Sequence, residues 1–405
     1  MNSISMSLPR LTPAEWILAS TLLLSFLTQL LFYRHLYSLP LRRREKKKKI
    51  PLPVESLPPI TIILTSKNSA EMLSQNLPLI MEQDYPDFEV IAVNRGSIDD
   101  TDTILKVARY KYPHLYHTYI PKDADTINEK KLALTLAIKA AKNNCLLFTE
   151  ANCRPCSKHW LREFGEEFAQ GKEVILGFSR LEIPLNTPLR GLMQYDNLIH
   201  HLKFLSMATL GKPFMGSGRN LAYKKDLFYK HKGYSSILNR EGGEDDLYIN
   251  RIAPPKKTGV ALSPKSMTET CNINRFSEWR TLKSAYLHTR RHYKGYAFRI
   301  FSLETLTKYT LYLSLISAPI LGTITGNHIL TVLALTLFII RYTVQKKVIN
   351  RNSHHFNAGE YRTNLLFYDI FQPLSNIRLK KYTTKRKKIK SRSRSRTHTQ
   401  SHTPG

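Results

Sequence analysis

Long apolar segments lie near both ends of the chain, and a block of short apolar runs lies between them. The first long segment, "WILASTLLLSFLTQLLFY", covers residues 16–33 and begins with Trp, which favours the membrane interface. Two more, over residues 309–324 and 329–340, are joined by the turn "TGNH". The pattern predicts an N-terminal membrane anchor and a later membrane hairpin. Because the last two segments are short, a tilted or re-entrant hairpin is an alternative.

The short apolar runs alternate with helical stretches. Strand-like runs are "ITIIL", "FEVIAV", "LYHTYI", "CLLFT" and "EVILGFS", which begin at residues 60, 88, 115, 145 and 173. The stretch "NEKKLALTLAIKAAKNN" (128–144) has apolar side chains at helical spacing. This alternation predicts an α/β domain with a mostly parallel sheet. Such sheets bind ligands beyond the carboxyl ends of their strands, which places Thr65, Asn94 and Glu150 on one rim.

These segments predict six regions along the 405-residue chain. They are an N-terminal transmembrane anchor (1–41), a basic and Pro-rich linker (42–58), an α/β domain (59–302), a transmembrane hairpin (303–347), an interfacial helical segment (348–383) and a basic disordered tail (384–405). The interfacial segment contains an apolar, aromatic stretch with a basic edge, "TNLLFYDIFQPLSNIRLKKY". A packed helix of the α/β domain is the alternative for that stretch.

Positive charge is concentrated in two blocks. The net charge is +30, and residues 42–49 and 378–396 hold seven and eleven basic residues against one acid and none. Such blocks bind lipid or nucleic-acid phosphates. Because no nucleic-acid module accompanies them, membrane lipids are the expected partner and nucleic acid is not. The positive-inside rule then predicts a multi-pass protein of the plasma (inner) membrane, with its α/β domain in the cytoplasm.

The cysteines indicate the redox compartment of the protein, and the residues after the first apolar segment bear on whether that segment is an anchor or a signal peptide. Four cysteines are too few for a disulfide framework at this length, and Cys153 and Cys156 form a lone C-x-x-C without a second pair at zinc spacing. A reduced compartment is therefore expected. A cleaved signal peptide is the alternative for the first segment, but a basic block follows it and no small-residue cleavage site is evident.

Two oxygen-bearing side chains follow the fourth strand-like run. Glu150 and Asn152 stand one residue apart, a spacing that can bring both to one ligand. Mg²⁺ and Mn²⁺ prefer hard oxygen ligands, so the pair is a candidate site for a metal-bound diphosphate. A polar turn without metal is the alternative.

Six motifs follow one another in order: "AVNRGSIDDT", "KKLALTLAIKAA", "LLFTEANCRP", "GSGRNLAY", "GGEDDL" and "HTRRHYKG". Together they resemble the family 2 glycosyltransferases, in the branch related to processive polysaccharide synthases, over residues 60–295. The resemblance implies a GT-A nucleotide-diphospho-sugar transferase fold, which is Rossmann-like with a mostly parallel sheet and flanking transmembrane helices. It also implies a nucleotide-sugar donor, with a UDP-sugar favoured, and a divalent cation, Mg²⁺ or Mn²⁺, that offsets the charge of the leaving diphosphate.

The resemblance assigns the metal to Glu150 and Asn152, which stand where the family has Asp-x-Asp and keep the oxygens with less charge. Asn94 stands at the first of two family aspartates that bind the nucleotide, and a hydrogen bond from its amide is expected to substitute. Lys130 matches the lysine of the family's K-x-x-A-L motif, near the nucleotide; a solvated helix lysine is the alternative. Thr65 joins this nucleotide-binding group from its place on the rim.

The resemblance assigns roles in the sugar-transfer step to the glycine-rich motif and to the acidic motif. In the family, the loop that here holds Gly218 and Asn220 lines the donor sugar and the acceptor; a plain hairpin turn is the alternative. Asp245 matches the family's catalytic base, which removes the proton from the acceptor hydroxyl, and Asp246 is the second candidate. Acids at the start of a helix also complement its dipole, which is the alternative for both.

The motif "HTRRHYKG" keeps the spacing of the family's Q-x-x-R-W-x-x-G. His288 stands for the Gln, Arg291 for the Arg and His292 for the Trp. The resemblance implies that Arg291 neutralises the leaving diphosphate and that the aromatic position contacts the acceptor. A basic helix that touches lipid phosphates is the alternative.

The predicted function is that of a membrane-anchored inverting glycosyltransferase. It moves a sugar from a nucleotide-sugar donor to an acceptor at the cytoplasmic membrane face. The acceptor is a glycan, either lipid-linked or a polysaccharide. The alternative is a catalytically impaired homologue that acts as a nucleotide-sugar-binding membrane scaffold, because acids of the family pattern are replaced at Asn94, Arg95 and Asn152.

Overall fold

The computed structural model describes residues 11–46, 52–121 and 128–379, so the predicted basic tail (384–405) lies outside the described residues. The strands are β1 (Ile60–Ser66), β2 (Phe88–Arg95), β3 (Leu115–Ile120), β4 (Cys145–Glu150), β5 (Cys153–Pro155), β6 (Val174–Gly177), β7 (Ser179–Leu181), β8 (Leu221–Lys224), β9 (Thr258–Ala261) and β10 (Thr268–Thr270). The helices are α1 (Pro13–Leu31), α2 (Leu39–Lys46), α3 (Ala70–Met81), α4 (Thr101–Lys111), α5 (Glu129–Ala140), α6 (Trp160–Ala169), α7 (Arg190–Thr209), α8 (Lys225–Lys230), α9 (Asp246–Ile252), α10 (Phe276–Thr289), α11 (Ala297–Thr325), α12 (Ile329–Phe356) and α13 (364–379). A π-helical segment, Phe32–Tyr37, follows α1, and a short 3-10 helix, Arg290–His292, follows α10.

The chain divides into two compact units. The sheet unit comprises residues 40–295, 353–360 and 371 onward, and the helical unit comprises residues 11–39, 296–352 and 361–370. All ten strands that the structure describes belong to the sheet unit.

A seven-stranded sheet in the order β3-β2-β1-β4-β8-β6-β9 organises the sheet unit. The first four strands in this order are parallel, β8 is antiparallel to both of its neighbours, and β6 and β9 are parallel. The prediction of an α/β domain with a mostly parallel sheet is therefore confirmed. A second sheet, in the order β5-β10-β7, has three short strands.

The core of the sheet unit explains why its first strands are continuous apolar runs. All seven residues of β1 are buried, since helices cover both faces of the parallel part of the sheet. Leu73 and Leu77 of α3 and Trp160 and Phe164 of α6 belong to the same buried cluster as β1. Burial of this kind contributes about 1.5–3 kcal/mol for each large apolar side chain.

The strand register brings the predicted rim together. Thr65 lies opposite Glu150 across the β1–β4 pair, and Ser66 lies opposite Asn94 across the β1–β2 pair. Because parallel strands end at the same edge, the polar residues at these three strand ends share one side of the sheet. The prediction that Thr65, Asn94 and Glu150 lie on one rim is confirmed.

The run "EVILGFS" differs from its predicted single strand. Its first part forms β6 in the large sheet, and the chain then crosses to the small sheet, where β7 begins at Ser179. Phe178, between the two strands, is buried and stacks on Phe356 at 4.2 Å between ring centroids. β5, β9 and β10 have only three or four residues each, too few to produce a recognisable alternation of apolar and polar positions.

Apolar helices dominate the helical unit. Among the described residues, two helices are long and apolar enough to cross a membrane, the continuous helical segment Pro13–Lys46 and α12. α11, which contains the first half of the predicted hairpin, is not one of the two. The predicted turn between the hairpin segments is present, and Gly326 in it adopts the left-handed conformation that ends α11.

A buried group of charges lies within the helical unit. Arg341 and Asp369 are both fully buried and form an ion pair at 2.6 Å between Nη2 and Oδ2. Lys308 binds the other oxygen of Asp369 at 2.8 Å and Glu304 at 3.1 Å. Two cations therefore offset two carboxylates where water is excluded, which limits the large free-energy cost of burying each charge.

Candidate active site

The rim residues line a narrow cavity in the sheet unit. Its lining includes Thr65 from β1, Glu150 from β4, Lys130 from α5, Gly218 and Asp245. These residues are separated by up to 180 positions in the chain, yet Thr65 was expected in the site from its strand end and each of the others from a different motif. The cavity therefore unites residues predicted for nucleotide, metal, sugar and base.

Lys130 forms the electrostatic centre of this cavity. Its Nζ lies 2.5 Å from Glu150 Oε1 and 2.9 Å from Glu244 Oε1. Burial alone would lower the pKa of Lys130, but Glu150, Glu244 and Asp245 together raise this pKa well above its usual value. Lys130 is thus a permanent cation held between two carboxylates.

Glu150 is correspondingly kept ionised. Burial acts to raise the pKa of Glu150, but the charge and hydrogen bond of Lys130, followed by the charges of Arg219 and Arg95, lower this pKa below its ordinary value. Three cations therefore surround the single carboxylate at the end of β4.

Asp245 stands at the start of α9, after a tight turn. Gly242 and Gly243 have φ of 71° and 85°, a backbone conformation that residues with a side chain rarely adopt. Asp245 Oδ1 accepts a hydrogen bond from the backbone N–H of Asp246 at 2.7 Å, and Oδ2 accepts one from the N–H of Gly218 at 2.8 Å. The glycine-rich loop and the acidic motif are thus joined through this carboxylate.

Tyr286 of α10 adds a third donor to Asp245. Its hydroxyl lies 3.1 Å from Asp245 Oδ2 and 3.1 Å from Ser217 Oγ. Burial, and then the charge of Glu244, raise the pKa of Asp245, while Lys130 acts in the opposite direction. A carboxylate with a raised pKa is a stronger base, which suits proton removal from a hydroxyl.

Asp246 has a more enclosed setting. Only 1% of its surface is exposed, and it accepts hydrogen bonds from the hydroxyls of Tyr293, at 2.5 Å, and Thr289. Burial and the neighbouring charge of Asp245 raise the pKa of Asp246 to about 8. Since both hydroxyls occupy this carboxylate and solvent does not reach it, the geometry favours Asp245 over Asp246 as the base.

The motif "HTRRHYKG" contributes different residues from those expected. Arg291 is exposed and its Nη2 lies 3.1 Å from Nδ1 of His288, while His292 lies against Arg240, at 2.8 Å between Nε2 and Nη1. These predicted side chains thus contact one another or Arg240. Thr289 and Tyr293, which lie within the same motif, are the residues that reach the acidic pair.

Helical spacing is the signal that could have identified these hydroxyls. Tyr286 and Thr289 are three residues apart on α10, so their side chains lie on the same face of the helix. The family motif marks basic and imidazole positions in this segment, so it gives no indication of this hydroxyl-bearing face.

The three asparagines of the predicted site have different surroundings. Asn94 is buried; its Oδ1 accepts from the N–H of Ser97 at 3.1 Å, and its Nδ2 donates to Asp102 at 3.3 Å. Asn152 lies in the turn between β4 and β5, with its side-chain oxygen 3.6 Å from the sulfur of Cys153. Asn94 therefore stabilises the turn after β2 through the same amide that was expected to bind the nucleotide.

Asn220 lies in the core rather than at the donor. Its Nδ2 donates to the carbonyl oxygens of Phe178 and Ser266, and its Oδ1 accepts from Trp160 Nε1 at 3.0 Å. Both amide protons are used in these bonds. This side chain instead ties the loop before β8 to α6 and to the segments that contain Phe178 and Ser266, whereas Gly218, two residues earlier, lines the cavity.

Arg219, between these two residues, was not expected in the site. It is 3% exposed, donates to Thr270 Oγ1 at 3.2 Å and has its guanidinium 6.0 Å from the ring centre of Tyr286. Its other terminal nitrogen has no hydrogen-bond partner among the described residues. A buried cation with a free donor is a candidate contact for an anionic ligand.

The residues at the end of β4 do not by themselves fit a divalent cation. Glu150 already has an ammonium at hydrogen-bond distance, and Asn152 offers a neutral oxygen. Within the part of the chain that the structure describes, no three His, Cys, Asp or Glu side chains are grouped to hold a metal ion. The predicted Mg²⁺ or Mn²⁺ thus has one carboxylate, and Lys130 competes for it.

Comparisons with known proteins identify a family domain within the chain and a similar fold. Residues 61–232 match the family described as glycosyl transferase family 2. The fold is similar to that of the mannosyltransferase PcManGT from Pyrobaculum calidifontis in complex with GDP-Man and Mn²⁺, with a TM-score of 0.53 and 16% identity, over 89% of this chain and 98% of that one. Staphylococcus aureus TarS, as its 1–349 fragment, gives a TM-score of 0.39 and 13% identity, over 80% and 91% of the two chains. A search of curated proteins found no match.

The family match covers β1 to β4, the Glu150 corner and the glycine-rich loop. The similarity to the mannosyltransferase extends over most of both chains and supports the GT-A fold. Residues 61–232 are therefore a family 2 glycosyl transferase domain, which makes the chain a glycosyltransferase with a nucleotide-sugar donor.

Proposed function

We propose that this glycosyltransferase is membrane-anchored and inverting, and that its acceptor is a lipid-linked or polysaccharide glycan at the cytoplasmic membrane face. One observation carries the chemical part: Asp245, a half-buried carboxylate with a raised pKa, lines the same cavity as Lys130 and Glu150. A base and an anion-binding corner in one cavity suit the transfer of a sugar from a diphosphate to a hydroxyl.

The proposed step is a single displacement. An acceptor hydroxyl gives its proton to Asp245 as its oxygen bonds to the anomeric carbon, and the bond from that carbon to the diphosphate oxygen breaks. The bonding electrons leave with the nucleoside diphosphate, and attack from the opposite side inverts the anomeric configuration. Gly218 and Tyr286 hold Asp245 in place through hydrogen bonds to its Oδ2.

Basic side chains are proposed to receive the diphosphate. Lys130 and Arg219 lie near Glu150, and Arg219 has a buried nitrogen without a partner among the described residues. A divalent cation would enter the site together with the donor. In the mannosyltransferase structure, Mn²⁺ accompanies GDP-Man in this way. Such an ion would meet Glu150 and Asn152 and would compete with Lys130 for Glu150.

Two classes of nucleotide sugar, UDP-sugars and GDP-sugars, are candidate donors. The sequence favours a UDP-sugar, whereas the mannosyltransferase with a similar fold was solved with GDP-Man. Asn94, expected to recognise the nucleotide, uses its amide within the protein. Both UDP-sugars and GDP-sugars therefore belong in the first substrate panel.

Membrane anchoring is supported by composition and by two helices. Pro13–Lys46 and α12 have the length and apolar character of membrane spans, and four basic residues, Arg42, Arg43, Arg44 and Lys46, lie at the carboxyl end of the first of them. Basic residues favour the cytoplasmic side of a span, which supports a cytoplasmic sheet unit.

The test is donor turnover by the full chain in detergent against UDP- and GDP-sugars. Release of nucleoside diphosphate with one donor, together with NMR of the product formed on a glycan or lipid-linked acceptor, gives both the donor and the stereochemistry. We expect inversion at the anomeric carbon. Retention would contradict the single displacement, and binding of a donor without turnover of any would favour the scaffold alternative.

A further inference from the structure

The positive charge around Glu150 exceeds what one carboxylate requires. Lys130 contacts it directly, and Arg219 and Arg95 are close enough to stabilise its ionised form. Glu244, which is more deeply buried with 11% of its side chain exposed, has the same Lys130 as its ion-pair partner. A single ammonium therefore serves two carboxylates that come from different elements, β4 and the turn before α9.

The position of the ammonium resembles that of a bound metal ion. Lys130 Nζ lies within 3 Å of one oxygen from each carboxylate, 2.5 Å from Glu150 and 2.9 Å from Glu244. Without a cation between them, two partly buried carboxylates at such separations from one point would repel each other strongly. A positive charge at this point lets both carboxylates stay ionised, and Lys130 supplies it.

We propose that Lys130 is the built-in cation of the donor-free site and that it prevents divalent metal from binding Glu150 and Glu244. This inference concerns the regulation of the site described under the proposed function and rests on that function for its biological meaning. It does not depend on sugar transfer for its test, since metal binding is measured without any donor.

The three N–H donors and the partial exposure of Lys130 suit this role. An ammonium has three N–H donors, and the two carboxylates use two of them. The side chain is also 27% exposed, so the third donor is open to a ligand that enters the cavity. A donor diphosphate can therefore compete with the two carboxylates for the same ammonium, whereas a metal ion can bind the carboxylates only if the ammonium leaves.

The test is Mn²⁺ binding, with no nucleotide present, to the full chain and to Lys130→Met. Electron paramagnetic resonance of free Mn²⁺ and calorimetry both measure it. Removing the ammonium leaves the two carboxylates without the cation that they share, so we expect Mn²⁺ affinity to rise by at least about ten-fold. The double variant Lys130→Met with Glu150→Gln should lose this gain, because one of the two carboxylates is then neutral.

Two matched controls separate this effect from a general loss of positive charge. Lys139→Met removes an exposed lysine from the same helix, α5, and should bind Mn²⁺ as the unaltered protein does. Lys130→Arg keeps the charge and should also leave Mn²⁺ binding unchanged. Circular dichroism and thermal unfolding of each variant establish that it is folded.

Three results would overturn the inference. One is a folded Lys130→Met that binds Mn²⁺ no more tightly than the unaltered protein. Another is an equal gain in Lys139→Met. The third needs no lysine variant: Mn²⁺ binding to the unaltered protein at micromolar concentration, abolished by Glu150→Gln. Absence of transfer with every nucleotide sugar would instead contradict the proposed function and leave these metal measurements intact.

Discussion

Asp245 and Asp246 are adjacent in the chain, and their surroundings give them different chemistry. Asp245 faces the cavity and accepts from Gly218 and Tyr286. Asp246 faces inward and is held by Tyr293 and Thr289. One carboxylate is therefore positioned for proton transfer, while the other ties the start of α9 to the end of α10 and to the segment that follows it.

Removal of the Tyr286 hydroxyl should change the pH dependence of transfer. Tyr286 donates to the carboxylate of Asp245, and a hydrogen bond to the charged form stabilises it. Tyr286→Phe loses that stabilisation, so the pKa of Asp245, already raised by burial and Glu244, rises further. The acid limb of the kcat/KM profile should move to higher pH by about one unit.

The control for this measurement is Tyr110→Phe, at a tyrosine that is 93% exposed on α4. Its profile should match that of the unaltered enzyme. An unchanged acid limb in Tyr286→Phe, with normal folding, would show that the tyrosine does not act on the base.

At the residue scale, sequence patterns predicted the types of side chain better than their partners. Asp245, Lys130, Glu150, Thr65 and Gly218 do line one cavity. The ion pair of Lys130 with Glu150 joins residues from a helix and a strand end, so it depends on how α5 packs, which local patterns do not encode. Helical spacing alone also could not show that the hydroxyl face of α10 meets α9.

At the scale of elements, strand identity was the most predictable feature. Apolar runs covered on both faces produced β1 to β4 close to their predicted positions, and their parallel order then fixed the rim. The division of "EVILGFS" between two sheets was not predictable, because residues 174–179 are buried on both sides of the break and the break at Phe178 depends on its packing partner, Phe356.

The buried charges of α11, α12 and α13 should be important for the stability of the helical unit. Asp369 pairs with both Arg341 and Lys308, and its removal leaves those two buried cations with less negative charge. Asp369→Ala should lower the free energy of unfolding by about 3–5 kcal/mol. Thermal unfolding in detergent measures this, with Glu71→Ala, at an exposed acid on α3, as the control.

A loss in Asp369→Ala no greater than that in Glu71→Ala would contradict this account of the helical unit. Asp369→Asn offers a graded comparison, since it removes the charge and keeps the shape. It should also destabilise the unit, because the two cations then face an amide rather than a carboxylate.

At the scale of the whole molecule, a glycosyltransferase unit and an apolar helical unit share one chain. The sheet unit contains the family match, and the helical unit contains α1 and most of α12. This combination is expected of an enzyme whose acceptor is held at a membrane. The net charge of +30 adds attraction to anionic lipid head groups.

Membrane integration predicts resistance to extraction. The full chain should remain with the membrane pellet after washing with alkaline carbonate, which removes proteins held by charge alone, and should enter the supernatant when detergent is added. Release by carbonate would restrict the anchoring to surface attraction, and a pellet that detergent does not dissolve would indicate aggregation.

The most direct test of the account is the transfer activity of Asp245→Asn, measured with the donor identified in the nucleotide-sugar panel. The variant keeps the size of the side chain and loses the base, so kcat should fall by at least about 10²-fold. Donor affinity by calorimetry should stay within about two-fold, and Asp87→Asn, at an exposed aspartate, should transfer normally. Transfer by a folded Asp245→Asn at the rate of the unaltered enzyme would contradict the central claim that Asp245 is the base.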